Sequence, residues 1–178
     1  GGAGNDTLNI ADTTADASHG FALPSNFSVK NVETLNVTAN GSLGDHANNV
    51  SFDVSGMTGL TTFNGTSAGN GTTNHDVKAA GTTDVALTVA AGTTTVKGGK
   101  SVSITGGSTA TVTDAAGATG TTLTAVTLNK VGTAGGVTST LTGNGIAALW
   151  AQVLAHRESL TNSGELAQVR REQQVKWM

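Results

Sequence analysis

The sequence predicts a mainly β protein, a parallel solenoid-like stack of short strands closed by a C-terminal α-hairpin, and three observations carry that expectation. From Phe27 to about Lys130 the chain is a succession of short β-prone runs, such as VETLNVTAN, DVALTVAAG, SVSITGGS and TATVTDAA, separated by Gly, Asn and Ala. Val, Ile and Thr are stiff at χ1 and suit a pleated surface. Three consecutive blocks repeat every eight residues, with Val96, Ile104 and Val112 in equivalent places, as expected of thin units that bury their faces only by stacking. Composition also breaks sharply: of 31 Thr only Thr161 lies beyond Asn144, and of 25 Gly only Gly145 and Gly164 do. The alternative is an antiparallel meander or sandwich, with Gly98-Gly99 and Gly106-Gly107 as two-residue hairpin turns. The solenoid is preferred because the other loops are irregular, and Val96, Ile104 and Val112 are expected to share one interior row.

Three segments follow: an opening turn and linker over 1–26, a Thr/Gly-rich β-repeat over 27–136 and a helical tail over 137–178. The 178 residues suffice for one ordinary domain and a small appendage. A net charge of -3 gives no reason to expect nucleic acid or an anionic membrane as partner. The absence of Cys removes disulfides, thiolate metal sites and cysteine nucleophiles. No apolar run approaches the ~18 residues of a membrane span. With neither Met nor a signal peptide at Gly1, the chain reads as a piece of something longer.

The opening nonapeptide GGAGNDTLN fits G-G-x-G-x-D-x-U-x through Gly1, Gly2, Gly4, Asp6 and Leu8. Such glycines turn the backbone so that carbonyls point inward, and Asp6 adds a hard carboxylate oxygen suited to Ca²⁺. The next nine residues break the pattern, so Gly1, Gly2, Gly4 and Asp6 amount to half a site, and only weak Ca²⁺ binding is expected. With VETLNVTANG and VSGMTGLTTFNGTSA, this stretch resembles the repeats of Gram-negative surface-layer and secreted repeat-in-toxin (RTX) β-proteins. That resemblance implies export, ordering by Ca²⁺, neighbouring repeat copies as partners and an extracellular, non-enzymatic structural role.

Other chemistry in the repeat is thin. KGGKS, Lys97 to Ser101, lacks the Gly that a phosphate-binding loop needs where Thr94 stands. His19, His46 and His75 sit among Gly, Asn and Asp and read as solvated loop histidines. Aromatic residues are too few for a stacking surface.

The tail is written differently. Ile146, Leu149, Trp150, Val153 and Leu154 fall on one stripe of a helix of about three turns. TNSG interrupts it, and Leu166, Val169, Gln173 and Trp177 line a second helix, with Asn162 three residues before Glu165 as a start signal. Leu149, Trp150, Val153 and Leu154 are the expected helix-association residues, seeking a partner at the end of the stack or on another copy.

The wording from Thr138 to Gln173 also resembles the C-terminal portion of the methylmalonyl-CoA-mutase-associated (ArgK/MeaB-type) GTPases. Gly145, Ile146, Leu149, Trp150, His156, Arg157, Ser163, Gly164, Leu166, Arg170, Arg171 and Gln173 carry it, and Ser139, Thr140 and Leu141 stand where that family has a Ser-Ala-Leu loop near the base. The resemblance implies helices that pack against a G domain and assist dimerisation, with a cytoplasmic location if the tail defines the protein. P-loop, Mg²⁺-binding aspartate and N-K-x-D motifs are missing from the sequence. The expectation at this point is therefore a chain that is not an enzyme and takes no GTP, with weakly held Ca²⁺ as its cofactor.

Overall fold

The computed structural model describes residues 2–13, 20–45, 48–68, 74–115, 122–132, 138–142, 154–159 and 161. Eleven strands follow in order: β1 (Thr7–Asp12), β2 (Thr34–Ala39), β3 (Phe52–Asp53), β4 (Thr62–Ser67), β5 (Asn74–Lys78), β6 (Asp84–Val89), β7 (Thr93–Lys97), β8 (Ser101–Gly106), β9 (Thr109–Thr113), β10 (Ala125–Asn129) and β11 (Thr138–Thr142). They form two sheets, β1-β2-β4-β6-β8-β10 and β11-β9-β7-β5-β3. Every pairing between these strands is parallel. From β2 onward each coil gives one strand to each sheet, so the fold is a two-sided parallel stack. The hairpin alternative is excluded.

Alternation sets the faces. In β6 Val85, Leu87 and Val89 are buried while Ala86 and Thr88 are exposed, and β8 and β9 repeat the pattern with Val102, Ile104, Ala110 and Val112. Because side chains have period two, parallel in-register pairing puts like beside like: Leu35, Phe63, Val85 and Val102 are successive partners across the first sheet. Phe52 and Phe63 stack across the core with centroids 5.4 Å apart, and Phe21 packs on Phe52 at 5.6 Å.

The eight-residue period has a different meaning from the one expected. Val96 pairs with Val112 in the second sheet, whereas Ile104 lies in the first. All three are buried, yet they do not make one row. Eight residues, corner included, carry the chain from one sheet to the other here, and two such steps complete the coil that pairs Val96 with Val112. Coil length also varies, from 29 residues between Thr109 and Thr138 to 16 between Thr93 and Thr109. Apart from the two-residue β3 the strands keep five or six residues, so the connections absorb most of the difference.

At the corners the glycine pairs serve stacking. Gly98 and Gly106 have φ of 93° and 85°. A Cβ there would lie 2.0 Å from the Ala79 carbonyl oxygen and 2.1 Å from that of Val89. The preceding coil's backbone occupies the space a side chain would take. Hydrogen bonds continue around these corners, as in Gly98 N–H to Thr113 O at 2.8 Å and Ser108 N–H to Gly92 O at 2.7 Å. KGGKS is the corner between β7 and β8, with a strand after it.

The chain separates into two compact units, Gly1–Gly143 and Asn144–Met178. Of the second, residues 154–159 and 161 are helical. The rest of the expected α-hairpin lies outside the described residues. Among the described residues no helix is long and apolar enough to cross a membrane.

Candidate functional site

The helical unit holds the expected association residues. Leu149, Trp150 and Val153 lie outside the described residues, and Leu154, at the start of the described helix, is 45% exposed. Burying such a side chain fully stabilises by about 1.5–3 kcal/mol, so its exposure leaves a binding increment unused. His156, Arg157 and Glu158 follow it on the exposed turn. The Thr161 hydroxyl donates to the Arg157 carbonyl at 2.8 Å, one turn back, so helical geometry reaches into the TNSG stretch expected to end it.

The opening nonapeptide is positioned by Glu33. The Asp6 N–H donates to Glu33 Oε2 at 2.7 Å, and the Asp6 carbonyl accepts from the N–H groups of Glu33 and Thr34 at 3.1 Å. Gly1 lies outside the described residues; Gly2 and Gly4 are exposed, with φ of 125° at Gly4. Asp6 Oδ2 is buried without a partner. No group of three or more His, Asp or Glu that could hold a metal occurs among the described residues.

Three arrangements went unread in the sequence. His75 is a core residue of β5, corrected from a solvated loop position; His19 and His46 lie outside the described residues. Its Nδ1 accepts the Leu43 N–H at 3.1 Å and its Nε2 lies 3.1 Å from the Ala91 carbonyl oxygen. Burial holds its pKa below the ordinary 6.5, partly offset by Ala91. The signal was alternation: His75, Val77 and Ala79 share a parity opposite to Asn74, Asp76 and Lys78. Asp114 accepts from Thr122 Oγ1, from the Thr122 N–H at 3.0 Å and from the Ala115 N–H at 2.8 Å, which lowers its pKa and ties 114 to 122. On the outer faces Asn9, Asn36 and Asn64 form an amide ladder with 2.8 Å steps. Asp53–Lys78 and Asp76–Lys97 pair at 2.9 and 3.2 Å. Partial burial raises the Asp53 pKa, but hydrogen bonds from Ser55 and Lys78 outweigh it and leave the group below 3.8.

Residues 66–178 match the family model described as "Methylmalonyl Co-A mutase-associated GTPase MeaB". The chain belongs to the MeaB family. The match starts far ahead of residue 137, where the resemblance was expected to begin, and takes in β5 to β11 as well as the whole helical unit. No curated protein and no solved structure matches significantly.

MeaB membership overturns two expectations. The first is the secreted, calcium-associated surface-layer or RTX scaffold. Thr, Val and Gly repeats answer to the demands of parallel strands and tight corners, which proteins of unrelated families share. The second is that the chain is not an enzyme, since the MeaB family is described as a GTPase. That expectation rested on motifs missing from these 178 residues, whereas the family assignment rests on residues that are present.

Proposed function

We propose that the chain is a MeaB-type segment that works by helix association, as the C-terminal, dimerising part of a methylmalonyl-CoA-mutase-associated GTPase joined to a parallel β-stack. One observation carries the reading: the family match includes the entire Asn144–Met178 unit, whose Leu154 is exposed. An exposed apolar side chain on a helix favours a second helix as cover, and a second copy of the same helix is its simplest complement. The reading sets the chain beside a mutase and its nucleotide in the cytoplasm, in place of the cell surface.

Sedimentation of the full chain over a range of concentrations tests it, with a MeaB-type G domain added in a second series. Self-association or G-domain binding is expected, weakened at least about tenfold by Trp150→Ala with Leu154→Ala, since each lost anchor is worth 1 kcal/mol or more. A chain that stays monomeric and ignores the G domain would sink the proposal. Magnesium-dependent GTP hydrolysis, measured on the same samples, tells whether turnover accompanies association.

A further inference from the structure

Among the described residues His75 is the one titratable side chain in the buried set. It touches two separate connections. Leu43 belongs to the β2–β3 connection and Ala91 to the β6–β7 corner, while His75 itself is a β5 residue paired with Thr94 of β7. Because Nδ1 accepts the Leu43 N–H, the ring proton sits on Nε2 and is donated to Ala91. Beside this bond runs a second tie, the Asp76 N–H to the Leu43 carbonyl at 2.9 Å. Gly44 and Asp45 on one side, and Asn74 and Asp76 on the other, line a cleft with Asn49 and Val50.

We propose that His75 is an acid-released latch: neutral, it pins the connection at Leu43 to β5, and protonated, it frees that connection and opens the cleft between Asp45 and Asp76. A proton added at Nδ1 would meet the Leu43 N–H donor to donor, in a site with no water access to take up either group. The charged groups on the elements packed around it do not compensate. Asp76 and Lys78 of β5 and Lys97 of β7 have the opposite parity and lie on the outer face, where Asp76 pairs with Lys97 and Lys78 with Asp53. Asp84 of β6 is likewise on the outside, hydrogen-bonded to Ser101. Asp45, next to the latch, accepts from Asn48. Burial holds the imidazole neutral, and the Ala91 carbonyl only partly offsets it.

The sign follows from the direction of the shift. The folded state holds His75 neutral below the 6.5 at which the unfolded chain takes up its proton, so the contribution is whole above pH 6.5 and fades as pH falls through the lower folded value. Amide exchange of the full chain, read as protection factors at about pH 7.5 and pH 5, tests the latch. Leu43 should lose about tenfold or more of its protection relative to Val85 and Val102, because pH 5 lies more than one unit below the ordinary 6.5 and each unit is a factor of ten. His75→Gln, whose amide offers an acceptor and a donor without titrating, should hold Leu43 protection level across the same range. Unchanged Leu43 protection at pH 5, or a loss shared equally by Val85 and Val102, overturns the proposal. If His75→Gln does not fold, the imidazole nitrogen resonances of the unaltered chain decide: a His75 that gains no second proton while Leu43 opens equally overturns it.

Discussion

The two sheets face the same core with different inner surfaces. The first presents Leu35, Val37, Phe63, Val85, Leu87, Val89, Val102 and Ile104, and its buried hydroxyl, Ser67, donates to the Gly41 carbonyl at 2.6 Å. The second has one apolar row, Phe52, Val77, Val96 and Val112, and beside it a row of His75, Thr94 and Ala110. His75 uses both nitrogens there, while Thr94 Oγ1 is buried without a partner. The first sheet is thus built for cohesion, and the second gives up some of it for a polar row that holds neighbouring connections in place. An apolar contact is indifferent to pH and to direction; a buried polar one is strong only while every partner is in the right protonation state.

The sharpest way to test this difference is to empty the first sheet. Phe63 is fully buried between Leu35 and Val85 and stacks on Phe52. Phe63→Ala should cost about 3–5 kcal/mol, because the stacked backbones on either side prevent the gap from closing. Urea denaturation followed by β-sheet circular dichroism would show it. A loss under ~1 kcal/mol would mean that the first sheet is not the cohesive one.

Corners come next. Gly106→Ala should cost about 1–3 kcal/mol through positive φ and collision with Val89 O. Gly56→Ala, with open space at its Cβ and no positive φ, is the matched control and should change the melting temperature little. If the two substitutions behave alike, the corners are looser than the inter-coil hydrogen bonds indicate.

Strand faces were legible because alternation is a local property: Val85, Leu87 and Val89 declare an inner face in any parallel or antiparallel sheet. Which strand pairs with which is not local. Val96, Ile104 and Val112 have identical spacing, yet Ile104 belongs to the other sheet, since coil length depends on connections that tolerate coils of 16 or 29 residues alike. His75 was hidden by its neighbours: Asn74 and Asp76 look like loop residues because they are solvent-facing members of the strand. The break in composition near Asn144 coincides with the limit of the first compact unit, but family membership extends back to residue 66 across it. Among the association residues, only Leu154 is described, and its exposure could not be read from a stripe pattern that suits a buried helix equally well.

The smallest expected effect bears most directly on the polar row. Thr94 lies between His75 and Ala110 in register, fully buried, its hydroxyl unsatisfied. Valine has nearly the same shape and carries a methyl group where the hydroxyl stands, so Thr94→Val removes a desolvation cost without opening a cavity. The expected result is a gain of about 1 kcal/mol, the low end of the penalty for an unpaired buried donor. The melting temperature should rise by a few degrees and the acid response of Leu43 should remain, because the latch uses His75, Leu43 and Ala91 and not the hydroxyl. A destabilised Thr94→Val would show that the hydroxyl has a partner in solution. Loss of the acid response in a stable Thr94→Val chain would instead show that the row acts as one network, and that the second sheet owes its pH sensitivity to more than one side chain.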